Sequence, residues 1–276
     1  MKPLSGKSQA VLIAAMACLS TVQAQHAGPR SKTAPLTQAR EEKAAYWENI
    51  FKTAPGAGPV NGDWARWEKY RAQYAKAKHA DQGAVVFLGD SISFHCDLAR
   101  AFPGLKTANR GISGDTTRGM LYRLQEDVLD LHPPLIVLLC GVNDLSEAMA
   151  GHGGPPQGLA ANVRSMLATI STAQPGTPVI VCEIMPAGKR GLKEANTAVD
   201  TVVADFPDAH RCTSYGLFLN PDGRQNATLF KDPTHPNAAG YAVWQAALEP
   251  EIKKWLGSAN AAPAAAPRGC RGRLRA

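Results

Sequence analysis

Leu135-Ile136-Val137-Leu138-Leu139-Cys140, followed at once by Gly141-Val142-Asn143-Asp144, decides the fold. An apolar run of this kind leaves no polar face. It predicts a strand buried on both sides, the condition of a strand in a parallel sheet covered by helices. Val85-Val86-Phe87-Leu88, closed by Gly89, is a second such run, and Val179-Ile180-Val181-Cys182-Glu183-Ile184 a third. A weaker strand ends near Ala108 and a last one lies near residues 209–215. Helical spacing falls between them. Met120, Leu121, Leu124, Val128 and Leu131 make a stripe over 116–131, with further helices over 92–101, 159–173 and 190–205. Tyr241, Trp244, Leu248, Ile252 and Trp255 mark a closing helix over 237–255. Alternating strands and helices imply a parallel sheet with helices on both faces. In such sheets ligands lie outside the carboxyl ends of the strands.

Three polar stretches stand at those ends, and a fourth precedes the closing helix. Gly89-Asp90-Ser91 places a hydroxyl at the start of a helix, where unpaired backbone amides favour a developing anion. Its plain structural reading is that Asp90 or Ser91 caps that helix. Asn109-Arg110-Gly111-Ile112-Ser113-Gly114-Asp115 carries two glycines before a helix; an exposed glycine amide is a good oxyanion donor, and an ordinary turn capped by Asp115 or Thr116 is the rival. In Gly141-Val142-Asn143-Asp144, the Asn143 amide can donate to an oxyanion without adding charge, or form an Asx turn. Asp232-Pro233-Thr234-His235 sets a carboxylate three residues before an imidazole. The carboxylate can then hold one ring nitrogen while the other faces the serine; alternatively this is a surface loop whose Asn237 caps the last helix. Together the four stretches supply Ser91 as nucleophile, His235 as base, Asp232 as orienting acid and several oxyanion donors. His95 is close enough to Ser91 in sequence to line the same pocket.

The bulk properties exclude other classes. The formal charge of +7 is concentrated at the ends. Residues 1–24 hold two lysines and no acids, and residues 257–276 hold four arginines and no acids, so 25–256 carry 24 basic against 23 acidic groups. A nearly neutral body argues against nucleic acid as a partner. Lys2 and Lys7, the apolar run Ala10–Leu19 and Val22-Gln23-Ala24 read as a cleaved signal peptide over 1–24, too short for a membrane span. The expected location is the periplasm or the exterior, with acylation at Cys18 as the alternative. Residues 25–83 read as a linker and a helical extension, with one helix over 37–53. A second starts at Asp63, its Trp64, Trp67 and Tyr74 stripe expected to pack on the main domain. Residues 84–256 form that domain, and 257–276 a disordered basic tail. The six cysteines show neither a disulfide framework nor zinc spacing, and Cys140, Cys182 and Cys212 fall in or beside apolar runs as small hydrophobes. No metal or organic cofactor is required by this chemistry.

From about Ala84 to Trp255 the chain resembles the GDSL, or SGNH, hydrolase family. Asn109-Arg-Gly-Ile-Ser-Gly-Asp-Thr-Thr-Arg118 is most similar to the branch of platelet-activating-factor acetylhydrolase catalytic subunits and related bacterial esterases. The resemblance implies a flavodoxin-like three-layer α/β/α sandwich around a central parallel sheet. It implies Ser91 as nucleophile, Asp232 and His235 as acid and base, and Ser91 N–H, Gly114 N–H and the Asn143 amide as the oxyanion hole. It implies a serine esterase acting on short-chain, chiefly acetyl, esters of small molecules, polysaccharide or lipid. The alternatives are an O-acyltransferase using the same site on carbohydrate, and a non-catalytic carbohydrate-binding protein. The Gly-x-Ser-x-Gly elbow of α/β-hydrolases is absent from the sequence.

Overall fold

The computed structural model of the chain describes residues 64–145 and 156–261. Five parallel strands form its centre: β1 (Val85–Gly89), β2 (Thr107–Gly111), β3 (Ile136–Leu139), β4 (Val179–Cys182) and β5 (Ala209–Cys212). Their spatial order is β2-β1-β3-β4-β5. The described helices are α1 (Trp64–Ala77), α2 (Ser91–Phe94), α3 (Leu98–Ala101), α4 (Thr117–Asp127), α5 (Pro156–Ala173), α6 (Leu192–Val203) and α7 (Ala238–Ala261).

The apolar runs are strands because both of their faces are covered. Val86 and Leu88 of β1, Ile136 and Leu138 of β3, and Val179 and Val181 of β4 pack with Met120, Val163 and Val199 from α4, α5 and α6. The alternate residues Val85, Phe87, Val137, Leu139 and Ile180 pack with Ile92, Leu98, Trp244 and Ile252 from α2, α3 and α7. A period of two thus sends successive side chains into different cores, and both cores are apolar. The result is the expected flavodoxin-like sandwich. β1 pairs with β2 on one side and β3 on the other. The chain therefore changes direction of winding at β1, and a crevice opens beyond the carboxyl ends of β1 and β3.

Several boundaries differ from the sequence reading. β2 runs to Gly111 rather than ending near Ala108, so Asn109, Arg110 and Gly111 are strand residues paired with Phe87, Leu88 and Gly89. The helix expected over 92–101 is two short helices. Asp97 restarts it by accepting from Arg100 N–H at 3.2 Å. The Asn109 amide donates to the carbonyls of Ser93 (2.8 Å), Cys96 (3.3 Å) and Phe94 (3.4 Å), satisfying the break. The helix expected over 116–131 is α4 followed by a 3₁₀ turn at Leu129–Leu131. β5 is confined to Ala209–Cys212. α7 continues past Trp255 to Ala261, through a proline-free stretch, so the start of the expected disordered tail is helical. The signal peptide, linker, helix over 37–53 and remaining basic tail lie outside the described residues.

Gly111 lies where two backbones meet. A Cβ there would stand 2.2 Å from Phe94 N and 2.7 Å from its Cα. Main chain cannot move aside as a side-chain tip can, so β2 would be pushed from α2. Gly111→Ala is expected to lower unfolding free energy by about 2–3 kcal/mol, read from the urea midpoint at constant m-value.

Candidate active site

β1 delivers Ser91 directly. Gly89 ends the strand, Asp90 caps α2, and Ser91 is the first residue of that helix. Asp90 Oδ1 accepts from Ile92 N–H at 2.8 Å. Ser91 is therefore both cap-adjacent and chemically exposed to the helix start, so the structural and functional readings of this stretch coexist. Burial pushes the Asp90 carboxyl up to about 7, with Asp115 and Asp144 adding to the rise and the Ile92 N–H opposing it.

A loop before α7 brings the imidazole. Ser91 Oγ lies 2.9 Å from His235 Nε2. On the other side of the ring, His235 Nδ1 is 2.9 Å from Asp232 Oδ2 and 3.0 Å from Oδ1. An ionised carboxylate only accepts, so Nδ1 carries the hydrogen and Nε2 is free to accept from the serine hydroxyl. Asp232 Oδ1 also accepts from Thr234 N–H at 2.9 Å and His235 N–H at 2.8 Å. Slight burial opposes the Asp232 charge, but these N–H groups and the ring together hold its carboxyl below the ordinary range. Pro233 carbonyl accepts from Gly188 N–H at 3.2 Å and the Gln225 amide at 3.0 Å, anchoring the loop. Asn237 caps α7 through Ala239 and Gly240 N–H, so that reading also holds.

The neighbouring strands supply the flanks. After β2 the chain turns through Ile112–Asp115, closed by Asp115 N–H to Ile112 carbonyl at 3.0 Å. Gly114 takes φ +82°, a left-handed conformation that suits glycine at this turn position. After β3, Asn143 Nδ2 donates to Asp115 carbonyl at 2.9 Å. That bond uses one of the two amide hydrogens. Asp144 accepts from Thr117 N–H at 3.1 Å and Thr117 Oγ1 at 2.5 Å, tying the β3 loop to the start of α4. Of the expected residues, Ser91, His235 and Asp232 form one hydrogen-bonded line. Gly114 and Asn143 lie in the loops that follow β2 and β3, the two strands that pair with β1, and the Asn143 amide joins those loops through the Asp115 carbonyl.

The sequence reading missed the groups beneath. Arg123 of α4 is 0% exposed. It donates to Asp115 Oδ2 at 2.8 Å, Arg110 carbonyl at 2.7 Å, Gly89 carbonyl at 3.2 Å and Asp127 Oδ2 at 3.4 Å. Burial opposes its charge, but Asp115 and Asp127 outweigh that and hold the guanidinium above its ordinary pKa. The available signal was an arginine inside the Met120–Leu124 stripe with an aspartate four residues on. His95 is an exposed residue whose ring centroid lies 6.2 Å from that of His235, edge to face. Partial burial, then Lys231 and His235, lower its pKa. Cys96, Cys140, Cys182 and Cys212 are all buried free thiols. Among the described residues, no cluster of three or more His, Cys, Asp or Glu could hold a metal ion. No described helix is long and apolar enough to cross a membrane.

A sheet of this order with a hydroxyl–imidazole–carboxylate line at its crevice defines a class of hydrolase, and comparison with known proteins agrees. The GDSL-like lipase/acylhydrolase family model matches residues 87–243, and the chain belongs to that family. It is accordingly a carboxylic ester hydrolase. Human platelet-activating factor acetylhydrolase IB subunit alpha1 is 28% identical over 193 residues, covering 66% of this chain and 80% of that protein. The bovine alpha2 subunit is 26% identical over 197 residues, covering 67% and 82% respectively. A GDSL-like lipase structure from Bacteroides thetaiotaomicron is 25% identical, with a TM-score of 0.55 over 69% of this chain and 98% of its own. An acetylxylan esterase from Geobacillus stearothermophilus shares the fold, with a TM-score of 0.51, 19% identity, and coverage of 63% and 94%.

Asp90 makes stability depend on pH. Its folded pKa is raised to about 7 from 3.8, so the folded state binds the proton more tightly than the unfolded chain. The associated stability is fully present below the unfolded pKa and is lost as pH rises through 7. Between pH 5 and pH 8 the loss is on the order of 1–3 kcal/mol. Asp90→Asn, which keeps an acceptor for Ile92 N–H, should flatten that part of the profile in urea unfolding at the two pH values.

Proposed function

We propose that the chain is a serine esterase working through a covalent acyl-enzyme on Ser91. The observation that carries this reading is the line from Ser91 Oγ through His235 Nε2 and Nδ1 to Asp232, with both links at hydrogen-bond distance. His235 takes the hydroxyl proton as Ser91 Oγ bonds to the ester carbonyl carbon. The carbonyl oxygen becomes an oxyanion received by Ser91 N–H, Gly114 N–H and the remaining Asn143 amide hydrogen. Collapse breaks the bond to the alcohol oxygen, which leaves with the proton from His235. Water then attacks the acyl-enzyme, giving its proton to His235, and the carboxylic acid departs as Ser91 recovers its hydrogen. Asp232 keeps the ring in the required tautomer and favours the imidazolium formed at each step.

Two of the similar proteins are named for acetyl esters, one an acetylhydrolase and one an acetylxylan esterase. They support acetyl and other short acyl groups as the substrates here. The amino-terminal sequence supports export, which places a cell-envelope or external ester within reach. Intact geometry at all three residues weighs against a purely binding role. Transfer of the acyl group to a sugar hydroxyl in place of water uses the same steps.

The test is turnover of a chromogenic acetyl ester by purified variants. Ser91→Ala and His235→Ala should abolish turnover while the folded spectrum is kept. Asn143→Ala should lower kcat roughly 10²–10³-fold. Wild-type turnover by pure Ser91→Ala would end the mechanism.

A further inference from the structure

α1 precedes the segment that matches the family, residues 87–243, yet it reaches both sides of the site. Trp67 is 0% exposed, and its Nε1–H donates to Asp115 Oδ1 at 3.1 Å. Asp115 is the residue after Gly114, and its carbonyl receives the Asn143 amide. One residue therefore joins α1 through its carboxylate and Asn143 through its backbone. Tyr74 OH donates to the Gly111 carbonyl, at the exit of β2 into the same turn. Tyr70 packs its ring 4.7 Å from that of Phe94, three residues after Ser91. Trp67 also packs in a small cluster with Ile112, inside the turn itself. α1 is held in turn by Arg71, whose guanidinium lies over the adjoining Trp67 and Tyr122 rings at 4.8 and 4.9 Å from their centroids and bonds Glu126 of α4 at 2.5 Å.

These contacts converge on groups that must not move. Gly114 N–H and the Asn143 amide can stabilise an oxyanion only if they stand within a few tenths of an ångström of the right place. Asp115 lies between them and has two external holds on its carboxylate, Arg123 on Oδ2 and Trp67 on Oδ1. Arg123 comes from within the family segment; Trp67 does not. We infer that α1 is a positioning element of the active site, and that Trp67 acts on the reaction through Asp115 by fixing the Gly114 turn and the Asn143 side chain. Trp67 is not a catalytic residue, because it touches Asp115 rather than the reacting atoms. The inference rests on the serine-esterase reading above.

Trp67→Phe in the full-length chain keeps a ring and deletes the N–H. It should lower kcat on an acetyl ester about tenfold with KM unchanged. Inactivation by a serine-directed phosphonate should slow in parallel, since that reaction also builds charge in the oxyanion hole. Ile170→Ala is the stability control. Ile170 is buried on α5 beside Val179 and Ala209, the first residues of β4 and β5, at the end of the sheet opposite Ser91. That variant should lower the unfolding midpoint and leave kcat intact. If Trp67→Phe does not fold, Tyr74→Phe removes the bond to Gly111 carbonyl from the same helix and should lower kcat in the same direction. Wild-type kcat in the folded variant, or a loss matched by Ile170→Ala, overturns the inference. Failure of wild-type protein to label at Ser91 instead overturns the esterase reading on which it rests.

Discussion

Arg123 has no contact with water, yet it is held charged by two carboxylates. Burying such an ion is costly, and the cost is offset only when nearly every donor finds an acceptor. Here the acceptors are the Gly89 and Arg110 carbonyls, the Asp115 carboxylate and the Asp127 carboxylate. Gly89 closes β1, and Arg110 is the residue before the last of β2. The third lies in the turn that carries Gly114. A single planar cation therefore fixes the relative height of the strand that leads to Ser91 and the turn that carries Gly114. Its fork of donors is rigid, so a displacement of either partner breaks several charge-assisted bonds together. Removing it would leave Asp115 a buried carboxylate without its cation.

Burial changes across the site in a way that suits the proposed chemistry. Ser91 is 6% exposed, whereas the His235 and Asp232 side chains are 29% and 43% exposed. Ser91 lies at the protein side of the crevice, where hydrogen bonds are strong. His235 and Asp232 form the solvent side. In the proposed mechanism the leaving alcohol would take its proton from His235 and depart toward water, and the water that cleaves the acyl-enzyme would arrive by the same side. An exposed Asp232 remains effective because its own loop supplies two backbone N–H donors that keep it ionised.

What sequence could and could not reveal follows from the range of each interaction. The strands were legible because burial on both faces forces unbroken apolar runs, as in Val85–Leu88 and Leu135–Leu139. The site stretches were legible because strand ends place them at one edge of a parallel sheet. The Trp64, Trp67 and Tyr74 stripe showed that α1 packs on the domain, but not where. Its hydrogen bond to Asp115 joins positions 67 and 115, and no periodicity encodes that pairing. Asn109 was grouped with the polar turn, whereas it lies within β2 and caps the break between α2 and α3. Its neighbours suggested a loop, and only the register of β2 on β1 shows it to be a strand residue. Arg123 sat in an apolar stripe as an apparent irregularity, and its acceptors come from three separate segments.

A crystal structure of the phosphonate adduct tests the central claim most directly. The account predicts phosphorus bonded to Ser91 Oγ, with one non-bridging oxygen about 2.7–3.1 Å from Ser91 N, Gly114 N and Asn143 Nδ2. It also predicts that the Asn143 amide keeps its bond to the Asp115 carbonyl. An adduct on another residue, or one whose oxygen points away from Gly114 and Asn143 into solvent, would contradict it.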